Sequence, residues 1–403
     1  MAVLRDYIKV KHGFAFKGNH ISTEDNGIVL VTPGNFSIGG GFKEEKCKFF
    51  DGEYPSDYVL KPDDLIVTMT DLSKAVDTLG YSALVPNGKR IYLHNQRIGL
   101  VQIIDDASID KHFLYWFMRT PCYQKTIAAT SSGSTVHHTS PNRIMDVEIE
   151  LPDFKNQRLI ATFLDNIESK INTNKKINEN LLQQAQALYH SWFVNYEPFD
   201  GTKPADWMYG TIDDLGTEII CGKTPSTKKS EYYGGNTPFI TIPDMHNCVY
   251  NVSTERYLSA LGVASQLKKT LPHNTVCVSC IGTAGLVTLV SEDSQSNQQI
   301  NSIIPKEEIS AYYIYLLMRT LSETINKLGQ SGSTIVNLNK TQFGKIQVMI
   351  PSKRALHDFD SLCSPLFDTI LLNQKENIKL SELRDTLLPK LMSGELDVSS
   401  LDL

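Results

Sequence analysis

The sequence predicts an α/β (α+β) fold built twice in tandem, its two α/β domains separated by two long antiparallel coiled-coil helices with pseudo-twofold symmetry. Three observations carry this: a heptad seam, its recurrence 199 residues later, and a shared order of landmarks in the two halves. Between Lys155 and Phe193 the positions Ile160, Leu164, Ile167, Ile171, Asn174, Asn178, Leu181, Ala185, Leu188 and Trp192 follow 4-3 spacing. That spacing buries one narrow stripe of a helix. Shifted by 199 residues it becomes Phe359, Cys363, Leu366, Ile370, Asn373, Asn377, Leu380, Arg384, Leu387 and Leu391, with both Asn in register. Asn in a seam costs stability and fixes register, so a chance match of two amphipathic helices is the poorer explanation. If the helices run antiparallel about a dyad through their middles, Asn174 meets Asn377 and Asn178 meets Asn373. At 1.5 Å per residue each helix reaches on the order of 55 Å, the length of a spacer.

The repeat extends beyond the helices. Phe113–Thr120 matches Tyr313–Thr320, both ending Met-Arg-Thr. Ser132-Gly-Ser-Thr135 matches Ser331-Gly-Ser-Thr334, and Leu151-Pro152 matches Ile350-Pro351. Asn95-Gln96 matches Asn297-Gln298 at a slightly different offset, so loop lengths differ between the halves. Residues 1–152 therefore form the first domain, 153–196 the first spacer helix, 197–351 the second domain, and 352–403 the second helix and tail.

In the first domain, β-rich runs at Gly27–Thr32, Leu65–Met69, Gly80–Leu84 and Ile98–Ile104 are punctuated by Gly and Asn clusters. Asp110 is placed to cap a helix reaching Ile127, and Ile144–Leu151 reads as a strand. Tyr196–Pro204 is a turn-rich linker. The second domain offers strands at Phe239–Ile242, Val276–Cys280, Gly285–Val290, Ile300–Ile304 and Lys345–Ile350, and a helix over Ala311–Leu328. Pro365 predicts a break or kink in the second long helix, with its helical start nearer Leu366. Tyr189, Trp192 and Phe193 are expected to pack within the chain, close to a partner surface.

A length of 403 residues suits two or three domains, and 41% hydrophobic with 21% charged residues fits an ordinary soluble globular protein. The net charge of −6 gives no global basic signature, although nucleic-acid binding needs only a local positive surface. Seven scattered Cys imply a reducing, cytoplasmic compartment. The Met1–Lys11 segment carries early charges and no apolar core, unlike a signal peptide, and no run is long enough to span a membrane.

Three further stretches carry a family resemblance: Gly13-Phe-Ala-Phe-Lys-Gly18, Leu151-Pro-Asp-Phe-Lys-Asn-Gln157 and Arg384-Asp-Thr-Leu-Leu-Pro-Lys-Leu-Met-Ser-Gly-Glu395. With the duplication, they resemble the specificity subunit of type I restriction–modification systems over essentially the whole chain. The resemblance implies that each α/β half is a target recognition domain reading one half of a split, asymmetric double-stranded DNA site. It implies that the helices set the spacing, and that two modification (methyltransferase) subunits and two restriction subunits dock on the assembly. S-adenosylmethionine, ATP and Mg are then expected on those partners, with no cofactor on this chain. The family usually carries Glu-Gln near the start of both long helices. Here Gln157 follows Asn156, and Ser352–His357 holds no Gln.

Catalytic signatures are missing from the sequence. An adenine methyltransferase needs an Asn/Asp-Pro-Pro-aromatic turn to hold a flipped base, and no Pro-Pro occurs. Gly222-Lys-Thr224 resembles the end of a phosphate loop, but Thr217 stands where the motif needs Gly and Pro225 follows. Pro62-Asp-Asp64 lacks the Glu-x-Lys partner of a nuclease site, and His137-His138 has no second ligand cluster. The Cys277/Cys280 pair stands alone in an apolar strand and reads as core rather than zinc. We therefore expect a non-catalytic subunit whose DNA contacts come from loops. Phosphate contacts position a protein, while Arg, Lys, Asn and Gln at base edges specify sequence. Loop position and side-chain chemistry select Lys17, Asn35, Arg97, Ser134, Thr135, His137 and His138 in the first domain. In the second they select Lys223, Thr224, Ser226, Lys228, Ser333, Thr334 and Asn337. The competing reading is a coiled-coil adaptor that binds proteins only and lacks salt-dependent, sequence-selective DNA binding.

Overall fold

The computed structural model describes residues 2–45, 47–71, 73, 75–133, 136–330 and 336–397. They form two compact units, Met1–Ser169 with Leu380–Leu403, and Lys170–Lys379. Both boundaries fall inside the long helices, so each unit owns a part of each.

The first unit contains β1 (Ile8–His12), β2 (Ile28–Val31), β3 (Leu65–Thr68), β4 (Ser82–Leu84), β5 (Ile91–His94) and β6 (Ile98–Ile103). An antiparallel sheet runs β1-β6-β3-β4, while β5 lies parallel to β2 in a second sheet. Successive side chains of a strand point to opposite faces. Leu65 and Val67 of β3 accordingly enter one core, together with α1 (Lys111–Phe117) and the start of α2 (Phe154–Phe193). Ile66 enters the other core, against the second sheet.

The second unit repeats this plan with β7 (Gly216–Cys221), β8 (Tyr233–Ile240), β9 (Val276–Ser279), β10 (Val287–Val290), β11 (Gln295–Ser296) and β12 (Ile300–Pro305). Its antiparallel sheet runs β7-β12-β9-β10, and β11 lies parallel to β8. The helix α3 (Ala311–Thr320) takes the place of α1, and α4 (Lys353–Met392) is the second long helix. Cys277 and Cys280, three residues apart, fall into two different cores, and burial pushes both thiols up to about 12. They do not share a ligand site.

Several expected elements differ. The helix expected over Ala311–Leu328 is two helices, Ala311–Thr320 and Ser322–Gly329. The helix capped by Asp110 stops at Phe117, and a separate helix, Pro121–Ala129, starts behind the Thr120 side-chain cap with Pro at its first turn. Ser140-Pro141 likewise starts a short helix, Pro141–Met145, leaving only Glu148–Ile149 as strand within the expected 144–151. The helix α4 runs through Pro365. A mid-helix Pro costs about 3 kcal/mol, but Phe359, Cys363, Phe367 and Ile370 around it are all fully buried. Burying a large apolar side chain gains roughly 1.5–3 kcal/mol, so packing outweighs the lost hydrogen bond.

The seam faces inward in both units, broadened by the off-seam Tyr189, Phe193, Phe367 and Leu388, which are buried while the seam's Leu188, Trp192, Leu366 and Leu387 are half-buried. In the first, Ile160 and Leu164 pack with Leu388 and Leu391. In the second, Ala185 and Phe193 join Phe359 and Cys363, with Phe193–Phe359 and Phe193–Tyr313 ring centroids both 4.8 Å apart. The Asn side chains pair within the second unit. Asn174 Nδ2 donates to Asn377 Oδ1 at 2.9 Å and to Glu376 at 2.7 Å, and Asn373 Nδ2 donates to Asn178 Oδ1 at 2.8 Å. Rising numbers on one helix meet falling numbers on the other, so the pair is antiparallel there.

Each unit ties its long helix to the recognition fold by a different polar device. Gln157, 1% exposed, accepts from the Asp110 N–H and donates to the Ser108 and Pro152 carbonyls, all at 2.9 Å. Asp165 accepts from His112 (2.7 Å) and Trp116 (2.8 Å). In the second unit, where the Gln is missing, Ser310 caps α3 and its hydroxyl donates to Asp360, which also accepts from Ser364.

Two outcomes follow. Asn377→Leu strips Asn174 of one acceptor in a buried setting, lowering unfolding stability by about 1–3 kcal/mol in urea titrations. The double change N174L/N377L recovers most of that loss, because no amide is left unsatisfied. The hydrogen bond to Asp165, opposed by burial, holds the His112 pKa above its ordinary 6.5. Its contribution is therefore complete below about pH 6.5 and disappears as pH rises through the raised value. Melting temperature against pH should show this decline above pH 6.5, and His112→Asn should flatten it.

Candidate nucleic-acid interface

One hydrogen-bonded ladder of loops recurs at the same place in both units. In the first, the turn Asn95-Gln96-Arg97 joins β5 to β6. Asn95 Oδ1 accepts the Arg97 N–H at 2.9 Å, and the Asn95 carbonyl accepts the Ile98 N–H at 3.0 Å. The loop after β1 lies along this turn: Phe14 donates to the His94 carbonyl and Gln96 donates to the Phe14 carbonyl, both at 2.9 Å. The Arg97 carbonyl accepts from Met69 at 2.9 Å, and the Met69 carbonyl accepts from Thr139 at 3.0 Å. Strand His137–His138 then pairs with Thr70–Asp71.

The second unit repeats most of these rungs, although the Lys223 carbonyl, in the place of that of Phe14, accepts from the Gln266 side chain. Asn297 Oδ1 accepts the Gln299 N–H at 3.0 Å, and the Asn297 carbonyl accepts from Ile300 at 3.3 Å. Lys223 donates to the Ser296 carbonyl at 2.8 Å. The Gln299 carbonyl accepts from Cys280 at 2.8 Å, the Cys280 carbonyl accepts from Leu338 at 3.0 Å, and Ile281 bridges Asn337. The rungs make Gly13 equivalent to Gly222. A Cβ on Gly13 would fall on the Asn95 carbonyl oxygen, and one on Gly222 on the Asn297 and Ser296 carbonyl oxygens. This close approach, not phosphate binding, accounts for the Gly in Gly222-Lys-Thr224.

The ladder holds Arg97, His137, His138, Lys223 and Asn337 of the residues the sequence selected, with Thr224 bonded to it. Arg97 is exposed on its turn; Lys17 is exposed where the first loop enters a short helical turn, Gly18–His20. His138 is exposed with Nδ1 3.1 Å from the Thr70 hydroxyl, and half-buried His137 lies 3.4 Å from the Ser131 hydroxyl. Lys223, Ser226, Lys228 and Asn337 are exposed, and the Thr224 hydroxyl donates to Gln298 Oε1 at 2.7 Å. Ser134, Thr135, Ser333 and Thr334 lie outside the described residues. Asn35 must be withdrawn as a DNA contact. It is 1% exposed, its Oδ1 accepts the Thr32 N–H and its Nδ2 donates to the Lys43 carbonyl. Its amide is consumed in closing its own loop.

Other polar residues that the sequence reading did not select lie on or beside the same ladder. Gln96 and Gln298 are exposed and Gln299 half-buried; the repeated Asn-Gln pair was their signal. Lys268 and Lys269 follow Gln266, whose buried amide donates to the Lys223 carbonyl and to Gln295 Oε1, both at 2.8 Å. Only the fold reveals that approach. Behind the first turn, burial drives His94 down to about 4, so this histidine stays neutral with Nε2 2.8 Å from the Ile98 carbonyl. Burial acts to raise the Asp71 pKa, but hydrogen bonds from Ser73 and Thr78 outweigh it and hold the carboxyl below its ordinary range. Among the described residues no group of three or more His, Cys, Asp and Glu could hold a metal ion, and no helix is long and apolar enough to cross a membrane.

A fold made twice, with matching loop ladders and different exposed side chains on them, defines a two-headed recognition protein. The family model for the type I restriction modification DNA specificity domain matches residues 3–183 and 204–382. The type I restriction enzyme HindI specificity subunit of Haemophilus influenzae is 34% identical over 395 residues, covering 78% of this chain and 86% of the relative. The MjaIX specificity subunit of Methanocaldococcus jannaschii is 26% identical over 338 residues, covering 80% and 76%. The crystal structure of the type I restriction–modification S subunit from M. genitalium shares the fold, with a TM-score of 0.65, 15% identity, and coverage of 97% of this chain and 95% of that one. The chain belongs to the family of type I restriction–modification specificity subunits.

The ladder makes a paired prediction. Gly13→Ala should cost on the order of 1–3 kcal/mol by forcing the first loop off the Asn95 turn. Gly18→Ala should leave stability within about 0.5 kcal/mol, since nothing lies within 4 Å of its Cβ direction. Thermal unfolding of the two variants measures the difference.

Proposed function

We propose that each unit reads one half of a bipartite, asymmetric sequence in double-stranded DNA through its loop ladder. The observation that carries this is the duplication of the frame with different side chains on it: Arg97 and His138 in one unit, Gln299 and Asn337 in the other. Similar scaffolds with different loop residues suit two different half-sites. DNA half-sites recur about 34 Å apart per helical turn, and helices of 40 residues, near 60 Å at 1.5 Å per residue, can set such a spacing. In this reading the chain itself is non-catalytic and acts in the cytoplasm. Two modification subunits, carrying S-adenosylmethionine, and two restriction subunits, using ATP and Mg, dock along the helices and perform adenine-N6 methylation and cleavage.

Methylome sequencing of cells carrying this chain and its modification partner tests the reading. One bipartite motif with two different specific halves and a fixed gap is expected. Binding of the purified assembly should be sequence-selective and should weaken steeply with salt. A protein-only adaptor would leave the methylome and DNA binding indifferent to this chain.

A further inference from the structure

The third residue of each ladder turn has no main-chain freedom left. At position 97 the N–H is held by Asn95 Oδ1 and the carbonyl by Met69. At position 299 the N–H is held by Asn297 Oδ1 and the carbonyl by Cys280. The glycines at 13 and 222 press the neighbouring loop against both turns, leaving no room to shift. The two frames thus share their main-chain bonds at this position and present different side chains there.

Those side chains differ in donor pattern. Arg97 is exposed and forms no ion pair or side-chain hydrogen bond with the described residues. Its guanidinium offers two parallel donors, the pattern that fits the O6 and N7 acceptors of guanine in the major groove. Gln299 is half-buried, and its Oε1 accepts from Asn297 Nδ2 at 3.0 Å. The held oxygen leaves the amide NH2 as its outward donor, so it cannot offer the double fork. The neighbouring candidates are less free: the ring of His138 is engaged by Thr70, and Gln298 by Thr224.

Resting on the DNA-reading function above, we propose that 97 and 299 are corresponding specificity-determining positions, one per half-site, and that Arg97 selects a guanine. The full chain, assembled with its modification partner, should be tested by selection from DNA randomised in both half-sites. The variants are Arg97→Gln and Gln299→Arg. Both changes lie at the surface or half-buried, and thermal unfolding verifies that each variant folds. R97Q should lose preference at one guanine of one half-site and weaken binding to the original site about tenfold or more. The other half-site and the gap should be unchanged. Q299R should introduce a guanine preference in the opposite half-site. Equal weakening on every sequence, with a salt dependence shallower by about one charge, would make Arg97 a phosphate contact and overturn the inference. Unchanged preferences in both variants would overturn it too. Failure of the unaltered assembly to select any bipartite sequence would instead remove the DNA-reading function, and this inference with it.

Discussion

A single side-chain contact recurs in each unit where that unit's own loops meet. An Asn oxygen accepts the N–H two residues further on, at Asn95 and again at Asn297. This Asn turn closes the connection into an inner strand of each antiparallel sheet; the glycine loop and the neighbouring strand end bond to it, and the segment after the helices bonds to that strand end. An Asn that bonds its own main chain in a turn suppresses alternative loop conformations. Once the turn is closed, its main-chain groups bond the neighbouring loops, and the exposed side chains on them are carried by a fixed base. Rigid supports are what base reading requires, because a misplaced donor cannot satisfy a fixed pattern of acceptors.

The same duplication was legible at long range and only partly at short range. The heptad seam, its 199-residue recurrence and the matched Asn positions are periodic features, and periodicity survives without knowledge of the fold. Positions with purely local logic were harder. Asn35 looked like an exposed loop amide because Gly and Pro surround it, yet its loop closes inward upon its side chain. Pro365 looked like a break because the cost of Pro is local, whereas the four buried side chains that offset it come from tertiary packing. Gly222-Lys-Thr224 resembled a phosphate loop because the real reason for the glycine, a carbonyl 75 residues away, is invisible in one dimension. The glutamines on the ladder were visible as a repeat but could not be separated from turn residues until the turn was seen.

Where the two halves diverge, the divergence is compensatory. Gln157 and Asp360 perform one task, tying a long helix to the N-terminus of the helix in its recognition fold, with an amide in one unit and a carboxylate in the other. The seam position filled by Ala185 in the second unit is filled by Arg384 in the first, where it meets Glu168 at 2.6 Å. Glu168 lies 3.9 Å from Arg119, a buried cation that donates to the Gly39 carbonyl and rests 4.2 Å over the Trp116 ring. Arg319, its counterpart by sequence, is exposed and bonds only Tyr315 among these partners. Burying a charge is tolerable only with such partners; the first unit adds this ionic group to its Gln157 and Asp165 bonds, while the second relies on the Ser310–Asp360 bond, Gln374 bonded to Tyr250, and apolar packing.

The central claim is that equivalent turns in the two units face DNA in the same way. A structure of the assembled chain on its bipartite site tests this most directly. The Asn95–Arg97 and Asn297–Gln299 turns should each lie in a groove, with the side chains of 97 and 299 at base edges of separate half-sites. DNA bound across any other surface of either unit, with these turns left in solvent, would contradict it.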